Sequence, residues 1–368
     1  MKQNSQAILL ITFFIICKYK NFNQKFIEIR IVYLGLRDKF LKIKYLKPNI
    51  GYKIFRRFTF FGDNMIIFKF ILYLFIFIFL TFSLNKFLLL REKNKIIGYG
   101  NKILIKGKKI NIVEKGIENK KIIILNPGYG TIAPGLDFLP LIVELSKNFH
   151  VIAIEPFGYG DSDFCRNSRS VENITFELHE VIKKLGIKKY ILCSHSISGI
   201  YSIYYLDRYE DEVVGFIGMD TSVPNQLKYT GNKFFPILRK LSNRLGFIRL
   251  LSIIKPELFM ANNNYYSDEV KSQIRYRLYR DFANEDNLNE GLNFERNWSK
   301  IKDLYYPKNI KKIFFLAKKE DKDKNWRYIE TKNAFNNQNG KIYLMEGSHY
   351  IYREKFVEMS EIIREEFL

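Results

Sequence analysis

Cysteine is scarce in this 368-residue chain. Cys17, Cys165 and Cys193 form no CxxC pair, no even set for a disulfide framework and no Cys/His spacing of a metal site. Cys193 stands in an apolar run and reads as a small buried core residue. Histidine is nearly as rare, with four copies: His150, His179, His195 and His349. Negative charge is short as well, with 38 Asp and Glu against 60 Lys and Arg, a formal net charge of +22. The excess is uneven, since residues 1–64 hold 13 Lys and Arg and only 3 Asp and Glu. Lysine outnumbers arginine 42 to 18, the bias that AT-rich codons supply. The chain lacks basic residues interleaved with exposed aromatics, and it lacks a nucleic-acid reading motif, so no nucleic-acid partner is expected. Anionic lipid headgroups suit the basic excess better. Internal repeats and low-complexity tracts are absent too.

What is present in quantity is apolar surface: 47% of residues are hydrophobic and 16% aromatic, enough for a large core. Residues 66–84 are apolar except for Lys69, Thr81 and Ser83. Nineteen helical residues reach about 29 Å, close to the thickness of a bilayer core. No small-residue cleavage site follows, because Phe87-Leu88-Leu89-Leu90 continues the apolar run. A single-pass anchor over 65–90 is therefore expected, rather than a removed signal peptide. Lys86, Arg91, Lys93 and Lys95 favour a cytoplasmic location for the side that follows it, while the charge of residues 1–64 pulls the other way. The side of the membrane stays open. Residues 1–64 contain one short apolar run, 7–17, and no clear periodicity. Gly62-Asp63-Asn64 can be encoded as a ribosome-binding sequence just ahead of Met65, so translation is expected to start there.

Beyond the anchor, short apolar runs alternate with helix-like segments, the pattern of a doubly wound α/β domain. Strands are expected at 102–105, 109–113, 121–125, 151–155, 190–193, 214–219, 312–317 and 340–345. Helices are expected at 136–147, 171–185, 200–209, 326–336 and 355–367. The alternation breaks once, at 225–300, which has helical spacing and no convincing strand. That segment reads as a helical insertion between two strands. It divides the core into 96–224 and 301–368.

Four motifs punctuate this pattern. Ser194-His195-Ser196-Ile197-Ser198-Gly199 lies between a strand and a helix, where a sharp turn would push Ser196 out over the sheet edge. Asn126-Pro127-Gly128-Tyr129-Gly130 follows the third strand, and Glu155-Pro156-Phe157-Gly158-Tyr159-Gly160-Asp161-Ser162-Asp163 follows the fourth. The latter contains no G-x-G-x-x-G, so a dinucleotide site is not expected. A serine hydroxyl needs a positioned base. His195 adjoins Ser196 and should point away from it; His150 and His179 read as structural. His349, in Glu346-Gly347-Ser348-His349-Tyr350 after the last strand, remains as the base.

These motifs, in this order, resemble the α/β-hydrolase superfamily over residues 96–368. The departure is in the elbow, where serines Ser194 and Ser198 stand at the two glycine positions. The resemblance implies a mostly parallel eight-stranded sheet with helices on both faces and a helical cap at 225–300. It also implies Ser196 as nucleophile, His349 as base, and an oxyanion hole from the amides of Tyr129 and Ile197. The acid should lie between them: Asp321 in the loop after the seventh strand, with Asp220 after the sixth and Glu320 as alternatives. The expected activity is ester or other acyl hydrolysis of a small-molecule or lipid-like substrate near the membrane, without metal or cofactor. An aminopeptidase-like amide hydrolase and a catalytically inactive binding protein of the same fold are the alternatives. Dehalogenases and epoxide hydrolases of this fold use an Asp nucleophile, which Ser196 does not supply.

Overall fold

A computed structural model describes residues 13–18, 28–33, 48–224, 233–260, 264–318, 326–335 and 340–368. The chain divides into two compact units, Met1–Ile78 and Phe79–Leu368. In the first, β1 (Phe13–Lys18) and β2 (Glu28–Tyr33) pair antiparallel. Residues 1–64 show no clear periodicity from which to expect this hairpin. Helix α1 (Pro48–Glu92) is much longer than the apolar run that signals it. Its portion from Ile67 onward, together with the short turn Lys93–Lys95 that follows it, is long and apolar enough to cross a membrane, and its apolar window is not buried by the rest of the protein.

The second unit is built on an eight-stranded sheet. Its strands are β3 (Asn101–Ile105), β4 (Lys108–Lys115), β5 (Ile122–Asn126), β6 (His150–Glu155), β7 (Tyr190–His195), β8 (Val213–Met219), β9 (Lys311–Ala317) and β10 (Lys341–Met345). The order is β10-β9-β8-β7-β5-β6-β4-β3, parallel from β10 to β6 and antiparallel at β4 and β3. The expected mostly parallel eight-stranded sheet is therefore present. Successive side chains of a strand point to opposite faces, and the core splits accordingly. Ile124, Leu192, Phe216 and Phe314 join one apolar cluster. Ile123, Leu125, Cys193, Ile217 and Phe315 join the other.

On the first face lie α4 (Val171–Lys184) and α5 (Ser198–Tyr209). On the second lie α3 (Leu139–Leu145), α11 (Ile351–Glu354) and α12 (Phe356–Phe367), with the short α2 (Pro134–Asp137) leading in. The single helix expected over 136–147 is broken at Phe138. Pro140 has no N–H to donate back to the preceding turn, so the chain restarts one residue earlier.

Between β8 and β9 come α6 (Phe234–Arg244), α7 (Phe247–Ile254), α8 (Asp268–Asp281) and α9 (Glu285–Ser299). Helix α9 is held on the core by side-chain hydrogen bonds. Asp286 accepts from the amides of Cys165 (2.9 Å) and Arg166 (2.7 Å), and Asn297 accepts from the amide of Val171 (2.8 Å). Helix α10 (Trp326–Asn333) follows β9.

Candidate active site

In a parallel sheet the loops that leave the carboxyl ends of the strands gather at one rim. Here those loops follow β5, β7, β8 and β10, and they carry Gly128–Tyr129, Ser196, Asp220 and His349.

Ser196 opens the two-residue turn, Ser196-Ile197, between the end of β7 and the start of α5. Its φ is +54°, a left-handed conformation that costs an L-residue roughly 1–2 kcal/mol. Neighbouring backbone holds it there. Its amide donates to the Met219 carbonyl (3.2 Å), and its carbonyl accepts from the amides of Gly199 (3.0 Å) and Ser222 (2.9 Å). The serines at the two expected glycine positions are accommodated because their hydroxyls find partners next to the turn, in α5 and in the loop after β5. Ser194 Oγ bonds Ser202 Oγ at 2.6 Å, and Ser198 Oγ donates to the Pro127 carbonyl. The close approach falls instead on Gly199, where a Cβ would sit 2.2 Å from the Ser222 carbonyl oxygen. Gly128 meets the same turn from the other side, with a Cβ position 2.9 Å from Ser196 Cβ.

His349 Nε2 lies 2.8 Å from Ser196 Oγ, and its Nδ1 lies 2.5 Å from Asp220 Oδ2. An acceptor carboxylate at Nδ1 puts the ring proton there and leaves Nε2 to accept from the serine hydroxyl. Asp220 is fully buried, with φ +47°. Its Oδ1 accepts from the Ala317 amide (2.9 Å), and Arg327 Nη1 donates to Oδ2 at 2.8 Å. Burial works to raise this carboxyl. The His349 hydrogen bond and the Arg327 charge outweigh it and hold the group below the usual carboxylate range. The acid beside His349 is thus Asp220, which the sequence placed second to Asp321. Asp321 and Glu320 lie outside the described residues.

His195 was expected to point away, yet its ring centroid is 4.7 Å from that of His349. Its Nε2 donates to the His349 carbonyl at 3.0 Å. Burial, and then the neighbouring His349, push its pKa well below the usual histidine value, so it stands there neutral. Nothing local in the sequence marks this role; it depends on a loop 154 residues away. The other two histidines are structural. His150 pairs with Glu114 (3.0 Å), and His179 stacks on Tyr209 with ring centroids 3.9 Å apart.

Around Ser196 and His349 opens a cleft of about 230 Å³, lined by Tyr129, Ile197, Phe294, Trp298 and Tyr350. Phe294 and Trp298 come from α9, and the Trp298 indole N–H donates to the Pro224 carbonyl (2.8 Å). The third motif lies beside this cleft rather than in it. Glu155 is its hub, with Oε1 accepting from the Gly135 amide (2.9 Å) and Oε2 from the Asp161 amide (2.8 Å) and Asn111 Nδ2 (2.8 Å). Burial raises the Glu155 carboxyl against these hydrogen bonds. Among the described residues, no cluster of three or more His, Cys, Asp or Glu could hold a metal ion.

A family model for the α/β hydrolase fold matches residues 121–297. An uncharacterised protein, YbdG, of Bacillus subtilis is 28% identical over 292 residues, covering 75% of this chain and 86% of its own length. Epoxide hydrolase 1 of Caenorhabditis elegans is 24% identical over 63% of this chain and 57% of its own. Among solved structures, an epoxide hydrolase from Vigna radiata superposes with a TM-score of 0.56 at 16% identity, over 73% of this chain and 97% of its own. A thioesterase domain from the curacin biosynthetic pathway gives 0.53 at 14% identity, over 72% and 98%. These structural likenesses concern the fold.

Proposed function

This chain belongs to the α/β-hydrolase superfamily, and we propose that it is a membrane-anchored serine hydrolase that cleaves an ester or related acyl bond through an acyl-enzyme on Ser196. The reading rests on one observation: Ser196 Oγ, His349 and Asp220 form a continuous hydrogen-bonded line at 2.8 and 2.5 Å, opening on an aromatic cleft. Membrane anchorage is supported by the apolar helix at Ile67–Lys95.

His349 Nε2 takes the hydroxyl proton as Oγ attacks the substrate carbonyl carbon. The resulting imidazolium is stabilised by the Asp220 carboxylate, which stays ionised because its pKa is depressed. The tetrahedral oxyanion falls to the amides of Tyr129 and Ile197, each worth roughly 2.7–4 kcal/mol. As the intermediate collapses, the leaving group takes the proton from Nε2. Water, deprotonated by the same nitrogen, then releases the acid and restores the hydroxyl.

Two of the proteins named above are epoxide hydrolases. Opening an epoxide through a covalent alkyl ester would require a carboxylate at position 196. A serine there suits acyl transfer.

The test is labelling with a fluorophosphonate probe. Wild-type chain should be labelled, and Ser196→Ala should lose labelling with its melting temperature unchanged. Undiminished labelling of a folded Ser196→Ala variant would discard the assignment.

A further inference from the structure

Helices α6 and α7 are built inside out. On a helix of a soluble domain the apolar stripe faces the core and the charged residues face water. Here Leu250, Leu251, Ile253 and Ile254 of α7 are exposed, the last two by 68% and 74%. Arg249 and Ser252 of the same helix are buried, beside a single apolar residue, Ile248. In α6 the exposed residues are Phe235, Ile237, Leu238 and Leu241. Three of its polar residues are engaged by the protein while Arg244 stays exposed: Arg239 lies over the Tyr129 and Phe282 rings at 4.6 Å, Lys240 pairs with Glu285, and Asn243 donates to the Phe282 carbonyl (2.9 Å). A contiguous outward apolar face of this kind is rare on a protein surrounded by water.

The same two helices are fastened to the C-terminal part of the apolar helix. Asn85 Nδ2 donates to the Asn243 carbonyl (3.1 Å), and Arg249 Nε donates to Asn85 Oδ1 (3.0 Å). The Arg249 fork also meets both oxygens of Glu92 at 2.7 Å. At the turn between α6 and α7, Gly246 has φ +83°, and a Cβ there would lie 2.9 Å from the Thr81 carbonyl oxygen. The contacts therefore run from within the apolar run to its charged end at Arg91, Glu92 and Lys93. Phe79, Leu80, Leu84, Phe87 and Leu90 on that stretch are exposed as well. Residues 233–255 hold no Asp or Glu, and three of their six Lys and Arg, namely Lys233, Arg244 and Lys255, stay exposed, the charge that anionic headgroups attract.

We propose that the outward face of α6 and α7 is a second membrane-contacting surface, lying in the headgroup–acyl boundary of the bilayer beside the emerging end of the anchor. The inference rests on the membrane-anchored reading above. It goes beyond it by assigning lipid, rather than water or protein, as the neighbour of Leu238, Leu241, Ile253 and Ile254.

The experiment uses the full chain with Cys17→Ser, reconstituted in phosphatidylcholine vesicles containing a minority of phosphatidylglycerol. Cys165 and Cys193 are buried and stay unlabelled in the folded protein. Single cysteines at Leu238→Cys and Ile254→Cys, on the proposed face, carry an environment-sensitive fluorophore. Phe75→Cys in the anchor and Lys188→Cys on the far side of the domain serve as references. Thermal melts confirm that each variant is folded. Lipid spin-labelled at a shallow acyl position should quench most of the emission at 238 and 254, lipid spin-labelled near the chain end should quench 75, and both should leave 188 unchanged. Quenching at 75 with none at 238 and 254 would overturn the surface and spare the anchor. No quenching at 75, with 238 and 254 still quenched, would sink the anchor and leave the surface standing. Emission at 254 that follows protein density and ignores the spin label would mean that a second copy covers the face, and would overturn the proposal.

Discussion

Asp220 carries more of the site's electrostatics than its single contact with His349 suggests. It is buried, sits at positive φ, and joins His349, Arg327 and the Ala317 amide. Asp220→Asn keeps the shape and removes the charge that fixes the imidazole tautomer, so kcat should fall by about 10⁴-fold. Asp321→Asn and Glu320→Gln should leave kcat unchanged; a comparable loss in either would move the acid to that loop. The sign of the pH effect follows from the depressed carboxyl. Its contribution to stability is complete above the unfolded value of about 3.9 and is lost as pH falls through the lower folded value. Acid melts of Asp220→Asn should lack that component. His195 acts through another residue. His195→Phe preserves the ring and deletes the hydrogen bond to the His349 carbonyl, worth about 1 kcal/mol. Steady-state kinetics should show a fall in kcat of several-fold with KM retained; equal losses in kcat and KM would indicate damage to the cleft instead.

At the scale of elements, the last strands and the last helix are joined through one carboxylate. Glu366 of α12 accepts from Lys341 Nζ (2.5 Å) and the Tyr343 hydroxyl (2.8 Å) of β10, and pairs with Lys311 of β9 (2.9 Å). The Lys341 hydrogen bond, ahead of those from Lys311 and Tyr343, holds its pKa at about 2. Stability from this group is full above the unfolded value of about 4.3 and disappears as pH falls through about 2. Glu366→Gln should therefore melt below wild type at pH 7, and thermal melts should show the gap closing near pH 2. Most elements were legible in the sequence because their cause is local. The run Ile122–Asn126 has to be a buried strand wherever it sits. The break at Phe138 was missed although its cause, Pro140, stands in the sequence, because the apolar spacing runs straight through it. The hairpin of β1 and β2 was missed because Phe13–Cys17 is an unbroken apolar run and the alternation of Glu28-Ile29-Arg30-Ile31 is too short to set a period.

For the molecule as a whole, the contact between α7 and the end of α1 is the joint to test. Arg249 holds Asn85 and both oxygens of Glu92. Arg249→Ala leaves that carboxylate without its fork and should cost on the order of 2 kcal/mol. Arg249→Lys should recover only part of this, since an ammonium cannot engage both oxygens in the same plane. Melting temperatures of the detergent-solubilised full chain measure both; identical values for all three proteins would show that the joint carries no stability.

The sequence by itself determined the alternation of strands and helices, the position of the turn that lifts Ser196, and the loop that delivers His349, since each is encoded within a few residues. The tertiary structure decided which carboxylate meets His349, because Asp220 and His349 are 129 residues apart and their meeting depends on strand order. It likewise decided that His195 supports the site and that α6 and α7 turn their apolar sides outward. A periodic pattern fixes which side chains share a face, but not which face is inward; that depends on the neighbours each helix finds.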